Sequence, residues 1–317
     1  MTGRKAPIAS PTVDAGDLAV NVKSFARSLR ARNRSELTIK SYLEAANLFA
    51  AFLADRGMPL FVADITREHV EEFIIDQEAQ HRASTAATRY RSLQQLFKWL
   101  DDEGEITGSP MAKMSLPKVT LEDVPILSKE QVKALLATCD GKTFTERRDQ
   151  AILSVFCDTG ARIAEVAALR WAPDDAESHD VDLDRGELRL LGKGAKWRVV
   201  GIGHTTARDI DRYVRMRSRH PSAHRSALWI GGKGAMTTSG IRQMVRTRGR
   251  LAGLPKLYPH MLRHAFAHHW LSDGGNEGDL MRLAGWSSDQ MLRRYARTSA
   301  ERRAIQAHKR LGLRDRL

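Results

Sequence analysis

Five side chains in this sequence have the types and the order that phosphoryl transfer requires. His260 and Arg263 lie three residues apart, Trp286 follows a Leu-Ala-Gly sequence, and Tyr295 comes nine positions after Trp286. Arg162 lies far upstream, between Thr-Gly-Ala and Ile-Ala-Glu. Transfer of a phosphodiester to a side chain needs a nucleophile, positive donors for the non-bridging oxygens and an acid for the departing oxygen. The set therefore indicates a site that holds a phosphodiester and attacks it with a phenol.

Arg162 and Arg263 are the candidates for holding the phosphate. A guanidinium stays charged and presents a fork of donors that fits phosphate oxygens. A lone arginine is more often part of a solvated surface, so Arg162 gains weight only from its sequence context. Glu165 follows Arg162 by one helical turn and could orient it, and a surface salt bridge is an equally good interpretation.

His260 is predicted to share a helix face with Arg263, because residues three apart on a helix are neighbours. Leu262, Phe266 and Trp270 fall on another face of the same helix and are predicted to be core. Pro259 suits the first helical turn, which places His260 at a helix start among free backbone N–H groups. The spacing predicts that the histidine and the arginine act on one ligand.

No metal or cofactor is predicted from the remaining polar groups. His264 and His268 are four residues apart and could chelate a metal, but no cysteine or carboxylate cluster accompanies them. The Gly-Lys-Gly sequences around Lys193 and Lys233 lack the spacing and the following Ser or Thr of a P-loop, so no ATP site is implied.

The order of these motifs resembles the tyrosine recombinase (phage integrase) family, and the resemblance covers nearly the whole chain. Arg162 matches the first arginine motif of the family, His260 and Arg263 match its His-x-x-Arg motif, and Tyr295 matches its nucleophile. The resemblance implies that Tyr295 forms a 3′-phosphotyrosyl bond, which a 5′-hydroxyl of another duplex then attacks. Because the covalent intermediate keeps the bond energy, the resemblance implies no cofactor.

Two further site residues follow from the resemblance. Trp286 stands where most relatives have histidine. An indole N–H can donate to a phosphate oxygen but cannot carry a proton, so a structural or electrostatic role is expected, with a buried core tryptophan as the alternative. Lys193 lies between two short β-like runs and matches the lysine that acts as general acid toward the 5′-oxygen. Lys196 is its near competitor and Lys233 its distant one.

The composition is that of a basic protein large enough for two domains. The 317 residues include 51 Lys and Arg against 38 Asp and Glu, a formal charge of +13. Such a surface attracts a polyanion, and the clustering of arginines favours a partner over simple solubility. The two cysteines lie in apolar helical stretches and are predicted to be buried thiols of a reducing compartment. No bilayer-spanning run or signal segment is visible, so we expect a cytoplasmic, nucleoid-associated protein without a membrane partner.

The fold class is predicted to be mainly α, with a helical DNA-binding domain followed by a mixed α+β catalytic domain. We predict a flexible tail at 1–16, a helical SAM-like DNA-binding domain at 17–105, a linker at 106–126 and the catalytic domain at 127–317. The linker prediction comes from Gly and Pro with little periodicity. In the first domain, apolar periodicity predicts four helices, near 17–32, 35–56, 66–81 and 84–103. Caps are predicted at Thr66 and Ser84.

The second domain is predicted to contain many helices and one small antiparallel sheet. A capping box of Ser128 and Gln131 starts its first helix. Two runs of β-like residues, 187–191 and 197–202, predict a hairpin or small sheet. The predicted helices lie near 128–139, 145–158, 162–170, 204–219, 238–252, 260–273, 276–284, 288–297 and 300–311.

The resemblance implies a site-specific DNA recombinase or integrase that cuts and rejoins strands of double-stranded DNA. Its partners are expected to be other copies of itself, as a dimer to tetramer on DNA, or a related recombinase. The short stretch before the first helical domain leaves no room for an arm-binding domain, which favours a simple Xer-like type. The segment 300–317 is expected to pack on a neighbouring protomer or to form a solvated end helix.

Two alternatives remain open at this point. A type IB topoisomerase-like enzyme would use the same constellation but rejoin the same strand. A DNA-binding regulator with a vestigial site belongs to a different class, and the presence of every catalytic position argues against it.

Overall fold

The computed structural model describes residues 16–117, 125–175, 177–192 and 194–286, together with residues 305, 308 and 309. The predictions for Lys193, for Tyr295 and for the helix near 288–297 lie outside the described residues, as does nearly all of segment 300–317. The chain divides into two compact units, Met1–Glu122 and Asp123–Leu317. The domain boundaries drawn from the sequence stay predictions.

Over its described residues, 16–117, the first unit is a bundle of four helices around an aromatic core. Phe49 is fully buried and packs edge-on against Phe73, with ring centroids 5.2 Å apart. The apolar stripes of the helices supply this core. The helices are α1 (Leu18–Ala31), α2 (Glu36–Asp55), α3 (Arg67–Gln80) and α4 (Ala83–Asp102), with a single 3₁₀ turn at Val62–Asp64.

The starts of α3 and α4 test the two predicted caps of the first unit. Thr66 is the N-cap residue of α3. The cap predicted at Ser84 was wrong, because α4 begins at Ala83 and its N-cap is Arg82. Arg82 has the extended backbone that an N-cap requires, whereas Ser84 already lies in the first turn.

The second unit packs seven described helices around one main core. Ser128 and Gln131 form the predicted capping box at the start of α5. Core residues of α6, among them Ile152 and Phe156, are fully buried. Both cysteines are free, and burial raises the pKa of the Cys139 thiol. The helices are α5 (Lys129–Ala137), α6 (Phe144–Thr159), α7 (Ile163–Ala168), α8 (His204–Arg217), α9 (Thr238–Leu251), α10 (Pro259–Ser272) and α11 (Glu277–Ala284).

A three-stranded antiparallel sheet accompanies these helices, in the order β1-β2-β3. The strands are β1 (Val181–Asp182), β2 (Glu187–Leu191) and β3 (Trp197–Gly201). In the β2–β3 register, Leu188 lies opposite Val200 and Leu190 lies opposite Arg198. Leu188, Leu190 and Val200 are buried, so Arg198 shares the inner face of the sheet.

A second, two-stranded hairpin joins β4 (Ile230–Gly231) to β5 (Gly234–Ala235). Lys233 lies in its turn. The predicted fold class is confirmed: the protein is mostly helical, with small antiparallel sheets. In the ranges that the structure describes, no helix is long and apolar enough to span a bilayer.

Candidate active site

The C-terminal end of α11 carries three successive carbonyl groups, each of which accepts a hydrogen bond from a different arginine. The last carbonyls of a helix have no donor within the helix and form the negative end of its dipole, so they attract cations. The three arginines come from β3, from α10 and from the residue before α7. The bonds are Arg198 Nε to Leu283 O at 2.8 Å, Arg263 Nη2 to Ala284 O at 2.7 Å and Arg162 Nη2 to Gly285 O at 3.2 Å.

Gly160 explains why the Thr-Gly sequence precedes Arg162. It ends α6 in the left-handed conformation, with φ of 58°, and its carbonyl accepts a hydrogen bond from Arg263 Nη1 at 2.7 Å. A Cβ atom at this position would come within 2.3 Å of the Phe266 ring of α10. Only glycine meets both requirements without strain. The turn therefore fixes Arg162 and Arg263 relative to each other.

Arg162 is the N-cap residue of α7 and is held by Glu165 in the same first turn. The backbone N–H of Arg162 donates to Glu165 Oε2 at 2.7 Å, and its Nη1 donates to Oε1 at 3.0 Å. Glu165 is only 3% exposed, whereas the Arg162 side chain is 38% exposed. The pair is therefore not a surface salt bridge. A buried carboxylate orients an arginine whose other edge reaches solvent.

Arg198 is a member of this cluster that sequence reasoning missed. Its Nη1 and Nη2 donate to the two oxygens of Glu165, both at 2.8 Å. Burial works to raise the pKa of Glu165, but the hydrogen bonds from Arg198 and Arg162 outweigh it and hold that pKa below its usual value. The alternation of β3 was the available signal, because it places an arginine on the same face as Val200.

Arg263 is the most deeply buried of the three arginines, with only 1% exposure. Burial, and then the proximity of Arg162 and Arg198, lower its pKa to about 10. Two guanidinium groups thus bind the carboxylate of Glu165, and a third, that of Arg263, lies close enough to interact with all three charges. Such an excess of positive charge in a partly desolvated place is stabilised by a bound anion.

Trp286 directly follows the last of the three carbonyls and lies against Arg263. The guanidinium carbon of Arg263 is 5.4 Å from the centroid of the indole ring, a cation–π arrangement. Trp286 is 9% exposed and belongs to a small apolar cluster with Leu271 and Leu280. The structure therefore brings Trp286 into the site as a packed ring beside a candidate phosphate ligand.

His260 lies in the first turn of α10, one turn before Arg263, and its side chain is exposed. Its ring meets the ring of His264 edge-on, with centroids 4.4 Å apart. His264 is only 2% exposed. The buried ring of His264 thus lies behind the exposed ring of His260.

The lysines divide between two hairpins. Lys196 is exposed at the end of the β2–β3 hairpin, where its carbonyl accepts a hydrogen bond from Gly192 N at 2.8 Å. Lys193 belongs to the same hairpin by sequence but lies outside the described residues, as does Tyr295. Lys233 belongs to the separate β4–β5 hairpin. Among the residues that the structure describes, no group of three or more His, Cys, Asp or Glu could hold a metal ion.

Comparison with known proteins finds family matches in both units. The Phage integrase family profile matches residues 125–302, and the profile of the phage integrase N-terminal SAM-like domain matches residues 22–104. The tyrosine recombinase XerC of Roseiflexus castenholzii is 31% identical over 289 residues, which cover 88% of this chain and 89% of the relative.

Solved structures share the fold. The XerH site-specific recombinase bound to palindromic difH substrate, in its post-cleavage complex, matches with a TM-score of 0.69 and 19% identity, over 90% of this chain and 83% of that one. A lambda integrase dimer bound to a COC′ core site matches with a TM-score of 0.66 and 16% identity, over 88% of this chain and 76% of that one.

The chain belongs to the phage integrase family of tyrosine recombinases. The predicted resemblance is thereby confirmed, and with it the enzyme class of DNA strand transferases and the function of site-specific recombination.

Proposed function

We propose that Arg162 and Arg263 of the three-arginine cluster at the end of α11 bind the scissile phosphate of duplex DNA, and that Tyr295 attacks this phosphate. The observation that carries the proposal is the excess of three guanidinium groups over the one buried carboxylate of Glu165. Arg162 offers a solvent-exposed edge to the first non-bridging oxygen. Arg263 supplies positive charge from its buried position. His260 donates a further hydrogen bond from the exposed first turn of α10.

In the proposed reaction, the Tyr295 phenol gives up its proton to water, its oxygen forms a bond to phosphorus, and the bond between phosphorus and the 5′-oxygen breaks. Lys193 gives its proton to the departing 5′-oxygen, because an alkoxide is a poor leaving group. The product is a 3′-phosphotyrosyl bond and a free 5′-hydroxyl. A 5′-hydroxyl from a second duplex reverses the step and releases the tyrosine. Trp286 stacks on Arg263 and donates its N–H to the phosphate.

The wider surface of the second unit supports duplex DNA as the partner. Arg242, Arg246 and Arg250 are exposed and recur every four residues, so they form one basic stripe along α9. Such a stripe neutralises successive phosphates and releases counterions. Solved relatives of this fold include a lambda integrase dimer on a core site and a tetramer on a Holliday junction.

By analogy with those relatives, we propose that two to four copies of this chain, or copies with a related recombinase, assemble on paired DNA sites. Cleavage of one duplex and attack by a 5′-hydroxyl of the other require two sites to be held together. The protein is then cytoplasmic and nucleoid-associated, where such DNA is found.

Covalent capture on DNA tests this proposal. The full chain is incubated with host genomic DNA, denatured, and the attached DNA ends are sequenced to give the attachment site. Peptide mapping of the adduct on a nicked duplex of that site is expected to find the phosphate on Tyr295. Tyr295→Phe removes the nucleophile, so it should bind the duplex but form no adduct.

Tyr258 provides the matched control, because it is 40% exposed and lies directly before α10, two positions before His260. Tyr258→Phe should form the adduct at the wild-type rate. An adduct that persists in Tyr295→Phe, or that maps to Tyr258, would exclude Tyr295 as the nucleophile. Strand relaxation without exchange between paired sites would favour the topoisomerase-like alternative.

A further inference from the structure

Arg198 uses all three of its side-chain nitrogens within the protein. Nη1 and Nη2 donate to the two oxygens of Glu165, and Nε donates to the carbonyl of Leu283. The side chain is only 14% exposed. A guanidinium bound in this way has no free fork for a phosphate. Arg198 therefore differs from Arg162, whose side chain is 38% exposed.

The Arg198 guanidinium lies between two glycines that flank the proposed catalytic residues in sequence. A Cβ atom at Gly192 would lie 3.4 Å from Arg198 Nη1 and 3.6 Å from Glu165 Oε1. A Cβ atom at Gly285 would lie 3.2 Å from the same Nη1. Gly192 immediately precedes Lys193, and Gly285 immediately precedes Trp286. One guanidinium thus contacts the hairpin and the end of α11 together.

We propose that Arg198 is a positioning residue that holds the β2–β3 hairpin, and with it the general acid, against the arginine cluster. This inference rests on the proposed function, in which a lysine of this hairpin protonates the 5′-oxygen. A flexible lysine on an unanchored hairpin would sample many positions, and misplacement by about 1 Å costs a large factor in rate. The hydrogen bonds from Arg198 to Glu165 and to the Leu283 carbonyl restrict the motion of the hairpin before DNA binds.

Arg189 gives a matched control on the same hairpin. It lies on β2, next to the Leu190 position that faces Arg198, so its side chain points to the opposite face. It pairs with Asp180 at 3.2 Å and stacks on the ring of Trp197 at 5.0 Å. Both arginines therefore bind the hairpin to a carboxylate, but of the two only Arg198 reaches a carbonyl of α11, that of Leu283.

The experiment compares two substrates at the attachment site mapped by covalent capture. One duplex carries an ordinary phosphodiester, and the other carries sulfur at the 5′-bridging position of the scissile phosphate. A thiolate leaves without a proton, so the second substrate needs no general acid. Single-turnover adduct formation is measured for wild type, Arg198→Lys, Arg189→Lys and Lys193→Ala. Lysine at 198 keeps the charge but loses the bidentate fork.

We expect Arg198→Lys to cleave the ordinary substrate roughly ten- to a hundredfold more slowly than wild type, because general acid catalysis contributes at least that much. Sulfur should restore its rate to within about threefold of wild type on the same substrate, as it should for Lys193→Ala. Arg189→Lys should change neither rate by more than about threefold. A purely structural defect would slow both substrates alike.

The outcomes separate this inference from the assignment of the acid. If sulfur rescues Lys193→Ala but not Arg198→Lys, Arg198 acts on the phosphate ligands or the fold, and the inference is wrong. If sulfur rescues Arg198→Lys but not Lys193→Ala, the inference holds, and the acid is another group of the hairpin, such as Lys196. If sulfur rescues neither variant, both the positioning role of Arg198 and the assignment of Lys193 as general acid are wrong.

A second measurement keeps the inference testable without DNA. Amide hydrogen exchange of the full chain should rise in β2, β3 and the last turn of α11 for Arg198→Lys, with no such rise at α11 for Arg189→Lys. Unchanged exchange at α11 in Arg198→Lys would contradict the proposed tie.

Discussion

Three buried carboxylates among the described residues of the second unit, Asp149, Glu165 and Asp180, each bind two arginines. The comparison between Asp149 and Glu165 separates a structural cluster from the proposed phosphate site. Asp149 accepts hydrogen bonds from Arg148 at 2.7 Å and from Arg248 at 2.8 Å. The side chains of these two arginines are only 10% and 11% exposed. Their remaining donors reach the carbonyls of Ile230 and Thr138. Every part of this cluster is used inside the protein.

The cluster at Glu165 has the same core of one carboxylate and two arginines but differs in two respects. Arg263 adds a third guanidinium without a second carboxylate, and burial beside the other arginines lowers its pKa to about 10. Arg162 keeps an exposed edge. Buried ion pairs alone therefore do not identify a binding site. A buried positive charge that no carboxylate compensates, and that a ligand can reach from solvent, is the better indicator of a binding site.

The largest expected effect on cleavage follows the loss of a phosphate ligand. Arg162→Ala or Arg263→Ala should slow single-turnover cleavage roughly a hundredfold or more, as removal of one transition-state donor does in other enzymes. DNA affinity, measured by titration of the mapped duplex, should fall much less because many other phosphate contacts carry it. Equal losses in affinity and in cleavage would assign these arginines a structural role.

A smaller loss of cleavage rate is expected when the Gly160 turn, which positions Arg162 and Arg263, is changed. Gly160→Ala places a Cβ atom 2.3 Å from Phe266 in a residue with φ of 58°, and so displaces the carbonyl that holds Arg263. We expect cleavage to fall by about tenfold, since a shift of a catalytic group by a fraction of an ångström is costly.

Gly253→Ala is the control for this change, because Gly253 also has positive φ but a Cβ atom there would meet none of the described residues within 4 Å. It should lower the free energy of unfolding by about 1 kcal/mol without slowing cleavage. If both variants cleave equally fast at matched folded fraction, the Gly160 turn does not position Arg263.

Trp286 tests whether packing or hydrogen bonding matters beside Arg263. Trp286→Phe keeps a ring but removes the N–H, so cleavage should fall several-fold to about tenfold, while the melting temperature stays close to wild type. Trp286→His should retain more activity than the Phe variant, because an imidazole can also donate. A Phe variant with full cleavage activity would make Trp286 a core residue only.

The smallest effect on cleavage is expected from the Asp149 cluster, where stability should suffer instead. Asp149→Asn leaves Arg148 and Arg248 with an uncompensated buried charge, which costs on the order of 3–5 kcal/mol of unfolding free energy. Urea unfolding measures that loss. The cleavage rate per folded molecule at low temperature should stay at the wild-type value. A specific loss of cleavage would end the distinction between the two clusters.

The sequence allowed most of the fold to be predicted because the helices have long apolar stripes and clear caps. The Ser128–Gln131 capping box and the β2–β3 pairing are local patterns of this kind. Strand β1 has only two residues and is too short for a periodic pattern to reveal. Local signals also placed the cap of α4 two residues late, because Arg82 adopts the cap backbone without a capping side chain.

In the candidate site, too, the residues in local motifs were predicted and the contacts between distant residues were not. The motifs around Arg162 and Arg263 predicted two phosphate ligands. In the structure both side chains donate hydrogen bonds to carbonyls at the end of α11. The role of Arg198 could not be predicted, because it depends on contacts with Glu165 and with the Leu283 carbonyl, 33 and 85 residues away. The burial of Trp286 likewise depends on how α10 and α11 pack, which no local pattern specifies.

The proposed role of the cluster at Glu165 is to bind the negative charge of the scissile phosphate. A duplex with a methylphosphonate at that position removes this charge while it keeps the bridging oxygens. Single-turnover cleavage of this substrate should bring Arg162→Ala close to the wild-type rate, because little negative charge remains to be stabilised. If Arg162→Ala stays as impaired on the methylphosphonate as on the natural phosphodiester, the arginine cluster does not act on the phosphate charge and the proposed phosphate site is wrong.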